Sequence, residues 1–139
     1  MQRSVLLDTG PLVAYFCPAD RYHAWAVSQF AAFVAPVTTC EAVLAESGFL
    51  LARAGVSPTR ILSKLAQGVF HIGLDVEREA AAIAALMQRY ADRPMSLADA
   101  CMVRMAEMQP GPVCTLDRDF PVYRRHGRQA LDLIIPDDL

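Results

Sequence analysis

The sequence predicts a single α/β domain built on a mainly parallel sheet with helices over both faces, and three observations lead there. Short apolar runs alternate with longer stretches whose apolar residues recur every three or four positions, the spacing of one helix face. That alternation is the mark of strand–helix–strand units, whose strands pair in parallel and are buried on both sides. The chain of 139 residues also has the commonest size of one domain, with no repeat, low-complexity tract or Gly/Ser linker to divide it.

The elements follow in order. Ser4-Val5-Leu6-Leu7 reads as a buried strand, stopped by Asp8-Thr9-Gly10-Pro11, a turn with Pro at the first position of a helix over 12–16. Helical spacing of Trp25, Ala26, Phe30 and Phe33 predicts a second helix over 22–34. Ala35-Pro36-Val37 is a short strand candidate, and a helix over 39–54 ends at Gly55. Ser57-Pro58 opens another that runs to Gly68. Residues 69–74 suit a strand, 77–91 an Ala-rich helix and 96–108 a further helix broken by Pro110-Gly111-Pro112. Val113-Cys114-Thr115 and Leu133-Ile134-Ile135 are the last strands, with a short helix expected through 120–123.

Composition sets bounds on function. Apolar residues make up 54% of the chain and charged ones 20%, which points to much buried surface, through layered packing or a partner. No run approaches the length of a membrane span, and residues 1–7 pass straight into Asp8 without a leader-like apolar stretch, so a cytoplasmic protein is expected. A net charge of −2 advertises no general affinity for nucleic acid, so any such contact must be local or metal-mediated. Cys17, Cys40, Cys101 and Cys114 are scattered and form no C-x-x-C pair. They read as buried thiols, and with His23, His71 and His126 equally dispersed there is no structural zinc pattern.

Four carboxylates resist explanation as solvated surface. Asp8 follows an apolar strand and precedes a helix, where it serves either as cap or as ligand. Glu46 has Ala42, Val43, Phe49 and Leu50 as helical neighbours, a face on which an unpaired charge is costly. Glu41, by contrast, completes the capping-box pattern Thr38-x-x-Glu41 and needs no function. Asp99 lies among Met95, Met102, Val103 and Ala106, and Ser96-x-x-Asp99 is a capping box in its own right. A first-turn position favours an anion in either role. Asp117 stands just past the Val113 strand, with Asp119 either a fifth ligand or a helix cap.

Brought together, such acids would repel one another and raise each other's pKa unless a cation neutralised them. Oxygen ligands without clustered His or Cys select Mg²⁺ or Mn²⁺, and these ions serve phosphodiester hydrolysis by activating water and polarising a phosphoryl oxygen.

The stretches Leu6-Leu7-Asp8-Thr9-Gly10-Pro11-Leu12-Val13-Ala14, Val43-Leu44-Ala45-Glu46, Ser96-Leu97-Ala98-Asp99-Ala100 and Cys114-Thr115-Leu116-Asp117-Arg118-Asp119-Phe120 resemble a PIN domain, more narrowly a VapC-type toxin ribonuclease. They occur in family order and span nearly the whole chain. The resemblance implies a three-layer α/β/α sandwich and Mg²⁺ or Mn²⁺ held by Asp8, Glu46, Asp99 and Asp117, with Thr115 close to the metal. It implies an endoribonuclease that leaves a 5′-phosphate and a 3′-hydroxyl, a small antitoxin protein laid across the site, and a homodimer. Two departures stand out: Glu41 competes near Glu46, and the chain is mildly acidic where many relatives are basic.

For RNA contact the sequence offers Arg118, Arg124 and Arg125, with His126 and Arg128 close behind, although a solvated charged loop explains the same cluster. Trp25 and Tyr15 suit the core more than base stacking. Two competing readings stand beside the nuclease. A haloacid-dehalogenase-like phosphatase requires a second Asp where Gly10 stands. A catalytically inactive PIN-like module would bind RNA or protein and have no use for all four acids.

Overall fold

The computed structural model describes residues 4–139, so the first three residues of the stretch read above as leader-free lie outside it. In chain order the elements are β1 (Leu6–Leu7), α1 (Thr9–Phe16), α2 (His23–Ala32), β2 (Val37–Thr39), α3 (Glu41–Arg53), α4 (Thr59–Ala66), β3 (Phe70–Ile72), α5 (Val76–Arg89), α6 (Leu97–Met108), β4 (Val113–Cys114), β5 (Arg124–Arg125), β6 (Gln129–Ala130) and β7 (Leu133–Ile134). Five strands form one parallel sheet in the order β3-β2-β1-β4-β7, while β5 and β6 make a separate antiparallel hairpin.

This order positions the site. The chain moves outward from β1 through β2 to β3, then returns to the other side of β1 for β4 and β7. The direction of winding thus reverses between β1 and β4. At such a reversal the crossovers leave in opposite directions and the strands' carboxyl ends open a crevice. Asp8 directly follows β1, and Asp117 follows β4 by three residues.

The sheet is central because its inner strands β1 and β4 are apolar and buried. Leu6, Leu7, Val113 and Cys114 are all fully buried, and each large side chain so buried contributes about 1.5–3 kcal/mol. Helix α6 buries more residues than any other helix, seven of its 12; small Ala98, Ala100 and Ala106 let it approach closely. It packs on β1, on α3 and on α5, while α1 packs on α2 and α3. Tyr15 stacks on Phe30 at 4.3 Å and, with Trp25, packs against the core, as the sequence suggested.

Three local expectations need correction. Helix α1 starts at Thr9, so Pro11 is its third residue, still within the turn whose N–H groups have no helical partner. The Thr38–Glu41 capping box does not form. Thr38 is buried within β2, Thr39 donates its hydroxyl to the Leu7 carbonyl at 2.9 Å, and α3 starts only at Glu41 with Cys40 as its cap residue. No helix forms through 120–123. The segment is a run of turns, such as Val122 N–H to Asp119 carbonyl at 3.0 Å. The β5–β6 hairpin was not foreseen; His126 (φ 52°) and Gly127 (φ 73°) supply its left-handed loop.

Candidate metal centre

Asp8, Glu46, Asp99 and Asp117 line one cleft of about 200 Å³, together with Thr9, Gly10, Leu50 and Leu116. The acids arrive from four separate segments: the end of β1, the middle of α3, the first turn of α6 and the loop after β4. Each has a local reason for its place.

Asp8 occupies the cap position of α1 in extended conformation, yet its side chain makes no capping bond. Its Oδ2 instead accepts a hydrogen bond from the Thr115 hydroxyl at 2.7 Å, while its N–H donates to the Cys114 carbonyl at 3.0 Å. Of the two roles open from sequence, the cap is therefore not used. Asp8 is 4% exposed, and this burial pushes its carboxyl up to about 7. The Thr115 hydrogen bond opposes the rise, and the negative charges of Asp99 and Asp117 add to it.

Asp99 forms the cap the sequence predicted and also lines the cleft. Its N–H donates to Ser96 Oγ at 3.0 Å and its Oδ2 accepts from the Ser96 N–H at 3.2 Å, a complete capping box. Half-buried, it is pushed up to about 6 by desolvation, helped by the charges of Asp117 and Glu46 and opposed by its bonds to Ser96. The box orients the carboxylate and leaves the other oxygen to the cleft.

Thr115 links two of the acids. Fully buried, its hydroxyl donates to Asp8 and accepts from the Asp117 N–H at 3.0 Å, which fixes the turn that carries Asp117. Glu46 is exposed on α3, so the apolar neighbours that made it conspicuous in the sequence are only partly enclosed: Phe49 is 62% exposed and Leu50 37%. Glu41 is exposed on the first turn of α3 and does not line the cleft.

Asp119 is likewise outside the cleft lining. Its N–H donates to Asp117 Oδ1 at 2.8 Å, and its carboxylate lies 3.6 Å from the Arg93 guanidinium. Among the basic candidates, Arg118 is exposed beside Asp117. Arg124 turns its guanidinium to the carbonyls of Pro121 and Tyr123, at 2.8 and 3.0 Å, and Arg125 is half-buried with an unpartnered Nε. Sequence reading missed Thr9, Gly10, Leu50 and Leu116 as cleft residues. Gly10 carries a usable signal, since a Cβ there would meet Leu116 Cβ at 2.9 Å.

The donor set suits a hard divalent cation. It consists of carboxylates that raise one another's proton affinity, plus a hydroxyl that fixes two of them. Among the described residues, no three Asp, Glu, His or Cys side chains stand close enough together to hold a metal ion. The carboxylates of the cleft suit Mg²⁺ by their chemistry, since Mg²⁺ keeps several waters and takes few direct carboxylates.

No family model matches the sequence, and no curated protein matches it. Among solved structures, the fold is similar to the crystal structure of VapC20 from Mycobacterium tuberculosis, a toxin that cleaves the sarcin–ricin loop. The two share 22% identity over 86% of this chain and 94% of that one, with a TM-score of 0.74. The VapC-type PIN fold that the sequence resembles is the fold observed, a parallel sheet of five strands sandwiched by helices.

Proposed function

We propose that this chain is a divalent-metal-dependent endoribonuclease that hydrolyses RNA phosphodiester bonds as the toxin of a toxin–antitoxin pair. The observation that carries the reading is the meeting of Asp8, Glu46, Asp99 and Asp117 in one cleft at the sheet's reversal point. Similarity of fold to a toxin that cleaves RNA supports it.

The residues divide the work as follows. Asp8, Glu46, Asp99 and Asp117 would hold Mg²⁺ or Mn²⁺, and that ion would supply an activated water and a counter-charge for the phosphoryl oxygens. Thr115 keeps Asp8 and Asp117 aimed at the same point. Ser96 does the same for Asp99. Without the ion, Asp8 and Asp99 hold their protons up to about pH 7 and about pH 6, so the cation binds there in exchange for protons. Asp119 serves as a neighbour of Arg93 rather than as a ligand.

An antitoxin and a second copy are the protein partners of this reading. An apolar stretch on α3 and α4, where Phe49 is 62% and Leu62 58% exposed, supports protein contacts of that kind. Among the described residues, no helix is long and apolar enough to cross a membrane.

The spacing of the acids leaves one alternative, a PIN-like module without catalysis. The deciding experiment is digestion of total RNA by purified protein with Mg²⁺ or Mn²⁺, beside Asp8→Asn and Asp99→Asn. Cutting by the parent and its loss in EDTA and in both variants is expected. Variants that cut as fast as the parent sink the reading. A parent that neither cuts nor gains thermal stability from Mn²⁺ establishes the inactive module.

A further inference from the structure

Ionised carboxylates only accept hydrogen bonds, yet an RNA strand entering an acid-lined cleft brings further negative charge. Donors are therefore required at the cleft's edge; Arg118 stands exposed beside Asp117, whereas other arginines of the chain are already engaged. Arg124 is turned to two backbone carbonyls, and Arg104 is held between Glu79 at 2.7 Å and Glu107 at 3.2 Å.

Arg93 is placed differently. Its guanidinium lies 3.6 Å from Asp119, whose N–H is bonded to the cleft residue Asp117 at 2.8 Å. Its backbone is pinned by Arg93 N–H to the Tyr90 carbonyl at 2.9 Å and Met95 N–H to the Arg93 carbonyl at 2.8 Å, just before the Ser96 cap that orients Asp99. The buried phenol of Tyr123 feels Asp99, Asp117, Asp119 and Arg93 together, so these charges share one neighbourhood. The Arg93–Asp119 pair is long, with side chains 39% and 35% exposed. Such a pair is weak and readily exchanged for a phosphate, which Arg can grip with two N–H groups.

Resting on the nuclease reading, we infer that Arg93 is a phosphate contact for the RNA strand at the edge of the acid cleft, and that Asp119 is the residue that positions it. No sequence pattern marks this role, because Arg93 lies 24 residues before Asp117 in the turn between α5 and α6.

The test is binding of a fluorescein-labelled, mixed-sequence single-stranded RNA of about twelve nucleotides, followed by anisotropy with Ca²⁺ present from about 50 to 200 mM KCl. Arg93→Ala is expected to weaken binding about fivefold at the lowest salt and to reduce the log–log salt slope by about 0.7, the contribution of one single-strand phosphate. Arg93→Lys restores the slope, because it keeps the charge. A slope in Arg93→Ala equal to the parent's overturns the assignment, even if affinity falls for structural reasons. Binding needs no cleavage, so a changed slope in a protein that cuts no RNA with Mn²⁺ upholds the contact and removes only the nuclease reading.

Discussion

Thr115 donates its hydroxyl hydrogen to Asp8 at 2.7 Å, joining residues 107 positions apart across the β1–β4 seam. The same oxygen accepts the Asp117 N–H, so one buried hydroxyl sets the relative position of two acids. Replacing it with the near-isosteric Thr115→Val leaves a buried carboxyl oxygen and an amide without their partner. A loss of about 1–3 kcal/mol in stability is expected, with metal affinity weaker by roughly tenfold or more. Chemical denaturation and Mn²⁺ titration check both; a Val variant that binds Mn²⁺ like the parent removes Thr115 from the site.

The acids also give stability a definite pH dependence. Asp8 and Asp99 titrate at about 7 and about 6 in the folded chain against 3.8 when unfolded. Between those values the folded state binds protons that the unfolded state has released, so stability falls as pH rises. The contribution is complete below about pH 3.8 and is lost as pH passes through about 6 and then about 7. Metal-free protein should therefore melt at lower temperature at pH 8 than at pH 5, and Asp8→Asn, which cannot ionise, should flatten the trend. At pH 8 that variant is expected to be more stable than the parent by about 1 kcal/mol or more, a trade of stability against function. Differential scanning calorimetry at both pH values checks this, and an Asn variant with an unchanged pH trend contradicts it.

Metal binding should oppose that loss. Mn²⁺ requires ionised carboxylates, so at about pH 6 it must displace protons from Asp8 and Asp99, whereas near pH 8 few remain to displace. Titration calorimetry in buffers of different ionisation enthalpy should show proton release that shrinks as pH rises. Release that is constant across this range would show that neither carboxyl meets the ion.

How far the sequence could disclose this arrangement depends on how local each cause is. The parallel sheet was legible because burial on both faces writes an unbroken apolar run such as Leu6-Leu7 or Val113-Cys114. The Asp99 capping box was legible because both partners lie three residues apart. Thr38 and Glu41 show the same spacing, yet pairing of β2 with β1 keeps Thr38 in the sheet and the box never forms. Tertiary pairing overrode the local signal there. The convergence of the acids was available only through the family resemblance, and the Asp119–Arg93 pair not at all, since it depends on how the α5–α6 turn folds back on the loop after β4.

Ser96 provides a test that separates folding from orientation. Ser96→Ala removes the side-chain half of the capping box and should cost about 1 kcal/mol of stability. Asp99 keeps its bond from the Ser96 N–H, so RNA cleavage should fall far less than in Asp99→Asn. Equal cleavage loss in the two variants would show that the box, rather than the carboxylate, is what the cleft needs.

Glu41 and Glu46 supply the sharpest contrast, because they share a helix and differ by five residues, about 140° of rotation. Glu46 lines the cleft with Asp8, Asp99 and Asp117, whereas Glu41 stands exposed on the first turn, where its charge complements the helix dipole. Glu46→Gln keeps the size and removes the charge, so it is expected to weaken Mn²⁺ binding and metal-dependent cleavage by tenfold or more, roughly the loss of about 1.4 kcal/mol. Glu41→Gln should lower stability by only about 0.3–1 kcal/mol and leave cleavage as it is. The reverse pattern, with Glu41 the residue that matters to the metal, would mean that the ion sits away from the β1–β4 seam and that the cleft defined by Asp8 is not the centre.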